Sequence, residues 1–406
     1  MELKIKNMND KNIGLDLRGV VAALKQILPA DKESVPLHEP LFGGREWDYV
    51  KECLDTGWVS SAGPFVSRFE EDLARFTGMK RAVAVVNGTA ALHTALLLAG
   101  VKAEDEVLVP TLTFVATVNA VRYCQAVPRF VDAEERTLGV DPVKLRRELA
   151  QIARLSPEGT INRRTGRRIK ALIVMHTFGH PVDLDPLRDL CAEFGLDLIE
   201  DAAESLGSYY KGVHTGHWGK LAVLSFNGNK TVTTGGGGAI LTDDENLADR
   251  AQHLTTTAKQ PHPWAYRHDE VGYNYRLPNL NAALGCAQLE RLPELLAGKR
   301  ALAARYAGVF SGWPGLTFFS EPEFARSNYW LNALLLEEDS GRQRDRLLEL
   351  THQAGILTRP AWDLMHTLPM FEHFPHGDLS KAENLARRLV NIPSSPALGG
   401  AVSDPG

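Results

Sequence analysis

Lys230 is the residue in this sequence most clearly set up for chemistry. It stands in a polar, glycine-framed turn, Ser225-Phe226-Asn227-Gly228-Asn229-Lys230-Thr231-Val232-Thr233-Thr234, followed by Gly235 to Gly238. Apolar runs, Leu221-Ala222-Val223-Leu224 and Ala239-Ile240-Leu241, flank the turn and read as strands. A lysine that must form an imine has to be held at one position with its amine partly desolvated, because that favours the neutral, nucleophilic form. Glycines let the backbone pass close to something bulky or take dihedrals other residues avoid. Taken alone, the turn is equally a solvated hairpin carrying a chance lysine. Three groups earlier in the chain bear on the choice. Gly88-Thr89-Ala90 opens a helix with free N–H groups, a hydroxyl and the positive end of the helix dipole, which suits a phosphate monoester; one such turn is as readily explained by Thr89 acting as an N-cap. Phe114, in Pro110-Thr111-Leu112-Thr113-Phe114, offers a ring at a strand end or fills the core. Asp201 closes the run Leu196-Asp197-Leu198-Ile199-Glu200, and its carboxylate is costly to bury without a cationic partner such as a protonated pyridine nitrogen.

The elements that must position these groups follow one pattern. Ala82 to Val86, Val107 to Val109, Pro128 to Val131, Ala171 to Met175 and Leu196 to Ile199 are short apolar strands separated by helical stretches, among them Ala90 to Ala99, Ala116 to Tyr123 and Leu187 to Phe194. Such alternation predicts an α/β fold with a large, mostly parallel sheet covered on both faces. Ligands of these sheets collect at the carboxyl ends of the strands. Phosphate cup, ring stacker, pyridinium acceptor and imine lysine fall in that order at successive strand ends. The set describes a site for pyridoxal 5'-phosphate, a cofactor that acts as electron sink while the protein orients and tunes it. Lys230, released from its imine, would move the proton between substrate and cofactor carbons.

Composition sets the frame. The chain has 406 residues, 44% hydrophobic and 23% charged, with a net charge of −5. Two domains with a large buried core are expected. Nothing in the bulk charge favours nucleic acid or an anionic membrane. Four widely spaced cysteines, Cys53, Cys124, Cys191 and Cys286, fit small core residues in a reducing compartment. Met1 to Asn12 has no apolar signal core, no run approaches membrane-spanning length, and a cytoplasmic protein is expected. Arg163, Arg164, Arg167, Arg168 and Lys170 read as a basic surface turn. His214-x-x-His217 and His373-x-x-His376 lie in glycine- or proline-rich loops without a further ligand, so they read as surface histidines and no metal site is expected.

Val86-Asn87-Gly88-Thr89-Ala90-Ala91-Leu92-His93, Thr113-Phe114-Val115-Ala116-Thr117, Glu200-Asp201-Ala202-Ala203-Glu204-Ser205, the Ser225 to Gly238 stretch and Gly272-Tyr273-Asn274-Tyr275-Arg276 resemble the DegT/StrS-type sugar-nucleotide aminotransferases, from about residue 35 to 396. The resemblance implies the aspartate-aminotransferase-like fold (PLP fold type I), with an N-terminal helical extension (1–35), a large cofactor-binding domain (36–295) and a smaller α+β domain (296–406). It implies that Gly88, Thr89, Ala90 and Ser225 take the cofactor phosphate, Phe114 sits on the ring, Asp201 pairs with the ring nitrogen, and Lys230 carries the aldehyde, with Asn227 beside it. Asn274 would reach the cofactor phosphate of a neighbouring subunit, which makes a homodimer with shared sites. Glutamine is frequent in this family where the chain has Glu204, at the cofactor's phenolic edge.

A narrower likeness lies in Val35 to Pro40, Cys53 to Ser61, Phe226 to Lys230 and Thr358-Arg359-Pro360-Ala361-Trp362-Asp363-Leu364-Met365-His366. These stretches resemble the bacillosamine and legionaminic-acid branch, which moves the amino group of L-glutamate to a UDP-linked 4-keto-6-deoxy-N-acetylhexosamine for cell-surface glycans. Perosamine-forming enzymes, acting on a GDP-linked sugar, share several of these features. Trp58, Ser60, Arg359, Trp362 and His366 are the expected substrate-side residues. Arg276 and Arg359 are both candidates for glutamate's carboxylate, and either is equally a structural ion pair. A regulatory protein without turnover and a sugar dehydratase are the alternatives on the same scaffold; the intact Lys230, Asp201 and Thr89 set argues against both.

Overall fold

In the computed structural model, residues 15–337 and 341–400 are described. The polar ends Met1 to Asn12 and Ala401 to Gly406, the latter read from sequence as frayed, lie outside them. Seven strands form the central sheet: β1 (Arg81–Val85), β2 (Glu106–Pro110), β3 (Val127–Val131), β4 (Arg168–Met175), β5 (Asp197–Asp201), β6 (Leu221–Ser225) and β7 (Gly238–Thr242). Their order is β1-β7-β6-β5-β4-β2-β3. The strands β2 to β6 pair in parallel, while β7 runs antiparallel to both neighbours. The Lys230 turn is thus the connection of an antiparallel pair set into a parallel sheet. A short hairpin, Ala153–Ser156 with Gly159–Asn162, extends the β4 side, and the basic cluster decorates its rim. Arg168 and Lys170 pair there with Asp105 and Asp197.

The sheet is buried on both faces, as continuous apolar strands require. Helix α1 (Gly88–Leu98) is apolar all round and packs at the centre of one layer with Val83, Val107, Val223 and Ile240. Such a helix has no solvent face to give up. Helix α2 (Val115–Tyr123) follows β2. The four cysteines are buried and unpaired.

Helix α3 (Asn279–Val309) is a single 31-residue element containing Pro293. The sequence pattern suggests a break before Ala301. The structure shows none, because one proline removes one ladder bond while the burial of Leu292, Leu295, Leu302 and Tyr306 holds the rest. The expected boundary at 295/296 therefore falls inside one helix that serves both cores. The smaller core contains a four-stranded antiparallel sheet, Leu316–Phe318, Asn332–Leu336, Leu389–Ile392 and Arg359–Pro360. The N-terminal helix Leu17–Ile27 belongs to it: Val20, Leu24 and Ile27 pack with Leu302, Tyr306, Leu334 and Leu347. This helix is thus part of that core.

Candidate active site

The carboxyl ends of β1, β2, β5 and β6 meet at a cavity of about 340 Å3, lined among others by Gly88, Thr89, Phe114, Asp201, Ser225 and Lys230. The phosphate cup is built by backbone contact. Asn87 caps α1, its Oδ1 accepting from the Ala90 N–H at 2.8 Å. That side chain, and not Thr89, is the N-cap, so the Thr89 hydroxyl is left to the cavity. It also means that the Ala90 N–H is already used; Ala90 does not line the cavity. A Cβ on Gly88 would lie 3.0 Å from the Ser225 Cβ. One on Gly238 would lie 2.5–2.7 Å from the Asn87–Gly88 backbone. The glycine run after Lys230 is hence explained at its last member by the chain's own cup turn, which crosses directly over β7.

Asp201 is buried, and its partners are a hydroxyl and an amide. Oδ2 accepts from Thr117 Oγ1 at 2.7 Å and Oδ1 from the Ala203 N–H at 3.2 Å. Burial pushes its carboxyl above the usual range, against the pull of those two donors. A carboxylate sealed this way lacks one thing, a cation at hydrogen-bond distance. A protonated ring nitrogen supplies it, so the donor set fits pyridoxal phosphate. The sequence assigns no role to Thr117, which aims Asp201; its signal is the four-residue spacing between Thr113, just before α2, and Thr117 in the first turn of that helix.

Lys230 points its amine at Glu204 and at an aromatic face. Nζ lies 3.3 Å from Glu204 Oε1 and 3.9 Å from the centroid of Trp330. Glu204 is buried, and burial lifts its carboxyl to about 7, with Lys230 pulling the other way. Its Oε2 accepts from the Phe178 N–H at 2.9 Å. Phe178 sits at φ 56°, a left-handed conformation costly for a bulky side chain. Asn227 lines the cavity and donates from Nδ2 to Asn229 Oδ1 at 3.0 Å.

A second cavity, about 760 Å3, adjoins the first and shares Phe114, Asn229, Trp330 and Trp362 with it. Arg359 lines it, as does His38. The His38 Nε2 meets Lys299 Nζ at 3.0 Å, while its Nδ1 is sealed from solvent without a partner. The other substrate-side residues are placed elsewhere. Arg276 is buried in an ion pair with Glu70 at 2.5 Å and also donates to the Ala84 carbonyl, which is the structural alternative of the two open for it. His366 is held between Thr111 (2.7 Å) and Glu383 (3.4 Å) behind the cavity wall. Trp58 and Ser60 are exposed in the loop before the helix Pro64–Thr77, where their carbonyls accept from Asn279, and line neither cavity. Asn274 is exposed and lines neither. His214 is buried and accepts from the Gly207 N–H at 2.9 Å, which corrects its assignment to the surface. Among the described residues, one group close enough to hold a metal, His253 with Asp269 and Glu270, lies away from the site.

Fold and site together define a pyridoxal phosphate-dependent aminotransferase. When bound, the cofactor supplies an electron sink for charge developed on the substrate carbon; the chain's part is to hold and orient it. The chain belongs to the DegT/DnrJ/EryC1/StrS aminotransferase family, whose description matches residues 41–404. A GDP-perosamine synthase of Vibrio cholerae is 37% identical over 365 residues, covering 90% of this chain and 95% of the relative. The aminotransferase TlmJ from Streptoalloteichus hindustanus superposes with a TM-score of 0.80 at 29% identity, covering 91% of this chain and 94% of that one. DesI, solved in the presence of its TDP-sugar product, gives a TM-score of 0.79 at 29% identity, covering 92% and 90%. No described helix is long and apolar enough to cross a membrane.

Proposed function

We propose that the protein transfers the amino group of L-glutamate to the 4-keto carbon of a nucleotide-linked 4-keto-6-deoxy sugar. One observation carries this most: the cavity holding Lys230, Asp201 and Thr89 adjoins a second, larger one with room for an occupant well beyond the cofactor. Arg359 lines that cavity and is exposed, so of the two arginines it is the one placed for an anion, either glutamate's carboxylate or a diphosphate. Lys230 acts as general base and acid, with Glu204 beside its amine and Asp201 fixed by Thr117.

Two acceptors compete. The branch motifs, Asn227-Gly228-Asn229 and Thr358 to His366 among them, support a UDP-linked N-acetylhexosamine. The GDP-linked 4-keto-6-deoxymannose is supported by the relatives from Vibrio cholerae, Escherichia coli and Caulobacter vibrioides, all named GDP-perosamine synthase. Mass spectrometry of products from both keto sugars with glutamate decides between them. An aminated UDP-sugar formed at much the higher kcat/KM supports the first; preference for the GDP-sugar overturns it in favour of the second; no aminated sugar from either overturns the activity.

The active unit is proposed to be a homodimer in the cytoplasm. Asn274 is exposed and lines neither cavity of its own chain, and Trp47, Trp264, Tyr266 and Val271 are more than three-quarters exposed, an expensive set of apolar side chains to leave in water. Sedimentation at working concentration tests this; a monomer with full activity contradicts shared sites.

A further inference from the structure

We infer that Trp330 is a positioning residue for Lys230, its indole N–H fixing the turn before the lysine and its ring face fixing the amine. The inference needs the cofactor but not the identity of the sugar. Trp330 is nearly fully buried and lines both cavities, yet it lies 100 positions beyond Lys230 in a motif with no chemical signature. Nε1 donates to the Asn229 carbonyl at 2.8 Å. Asn229 is the residue immediately before Lys230, so this bond sets where the lysine leaves the turn. The ring then lies 3.9 Å from Nζ, measured to its centroid, while Glu204 takes the same amine at 3.3 Å. An aromatic face attracts an ammonium, more so where water is excluded. The amine is held from two sides, and its stem from a third.

Trp330 is in turn fixed by bonds that make little sense as general packing. Its N–H donates to Asn328 Oδ1 at 2.8 Å. Asn328 Nδ2 donates to the carbonyls of Glu204 (2.8 Å) and Leu206 (3.0 Å), so one short segment holds both partners of the lysine amine. Between them Tyr329 adopts φ 50°, left-handed backbone that a tyrosine takes only under compulsion. The Trp330 carbonyl accepts from Lys299 Nζ at 3.1 Å. Lys299 is wholly buried on α3 without a carboxylate; its remaining partners are the Ser394 carbonyl at 2.7 Å and His38 Nε2 at 3.0 Å. Burying an amine among carbonyls is costly, and an apolar residue would fill the same space. What the lysine adds is a tie from α3 and Ser394 to the residue under the catalytic amine.

The test separates placing the lysine from holding the cofactor. Pyridoxal phosphate added to cofactor-stripped protein develops a visible band as the Lys230 nitrogen bonds the aldehyde carbon and one water leaves. Pyridoxine 5'-phosphate has an alcohol in place of the aldehyde, cannot bond the lysine, and reports the cup alone. Trp330→Phe keeps a ring and loses the Asn229 bond; its band should develop about 2- to 10-fold more slowly. Trp330→Leu loses both and should be slower by about 10- to 100-fold, the scale of misplacing a reacting group by an ångström. Affinity for pyridoxine 5'-phosphate should stay within about 3-fold of wild type in both, since the hydrogen bonds of Trp330 go to Asn229, Asn328 and Lys299 and none joins it to Gly88, Thr89 or Ser225. Wild-type band kinetics in both variants, or pyridoxine phosphate affinity falling in step with the rate, overturns the inference. If Trp330→Leu does not fold, Trp330→Phe and Trp330→Tyr carry the same comparison. A wild-type protein that develops no band overturns the cofactor assignment instead, a separate result.

Discussion

Replacing Glu204 with glutamine should make the cofactor-free protein more stable at alkaline pH and leave it unchanged in acid. Glu204 is buried, and burial raises its carboxyl from an ordinary 4.5 to about 7, with the Lys230 amine at 3.3 Å and the Phe178 N–H at 2.9 Å only partly compensating. The folded chain therefore holds this proton more tightly than the unfolded chain does. Between pH 4.5 and about 7 the folded state binds more protons, so stability falls as pH rises through that window. Each unit of difference is about 1.4 kcal/mol, which puts the full penalty above neutrality on the order of 3 kcal/mol. Glutamine keeps an oxygen for the Phe178 N–H and has no proton to lose. Unfolding of cofactor-stripped wild type and Glu204→Gln, measured at about pH 5 and about pH 8, should give similar stabilities at the lower pH and a variant favoured by about 2–3 kcal/mol at the higher. Groups remote from Glu204 titrate alike in both proteins, so the change in their difference reports on this carboxyl together with the Lys230 and Asp201 charges coupled to it. A difference that is the same at both pH values, or that shifts towards wild type at alkaline pH, refutes the account of Glu204.

Asp201→Asn should cut turnover by about 100-fold or more, because the ring nitrogen loses its counter-charge. The same change should raise the stability of the cofactor-free protein above neutral pH, since it removes a buried carboxylate whose pKa burial has raised; denaturant titration with and without cofactor reads both signs. Gly238→Ala should weaken cofactor phosphate binding at a cost of about 1–3 kcal/mol, as its Cβ enters the Asn87–Gly88 backbone; equilibrium titration with pyridoxine 5'-phosphate checks it. Arg276→Gln should lower stability while leaving the KM for glutamate unchanged in the folded fraction, because the guanidinium is committed to Glu70. Arg359→Gln should raise a substrate KM by about 10-fold without loss of stability, a contrast that steady-state kinetics and thermal melts report together.

The strand-end half of the candidate site was legible because sheet chemistry is local. Gly88-Thr89, Phe114, Asp201 and Lys230 each follow a recognisable apolar strand, and the fold brings successive strand ends together without further instruction. Residues that act by crossing the chain left no such trace. Asn87 could have been read as the cap, since it precedes the helix, but Thr89 offered the same chemistry two positions on. Trp330 reaches the site from the smaller core, and nothing near it in the sequence marks a binding role; His38 stands in the Val35 to Pro40 stretch, whose likeness assigns it no role of its own. Arg276 shows the opposite failure: a plausible anion binder by type, it is consumed by Glu70, more than 200 positions earlier. The continuity of α3 was hidden at Ala297-Gly298-Lys299-Arg300, where a glycine and two charged residues interrupt the apolar pattern, although Gly298 and Lys299 are buried within the helix.

The central claim is that Lys230 lies at the centre of a glutamate-to-sugar amino transfer. Nitrogen-labelled glutamate, a nucleotide-linked 4-keto-6-deoxy sugar and the cofactor-loaded protein, followed by mass spectrometry, test it directly. The account predicts a sugar product carrying the labelled nitrogen with wild type and a rate lower by at least about 100-fold with folded Lys230→Ala. Labelled product formed at the wild-type rate by Lys230→Ala, or a wild-type product without the label, would contradict it.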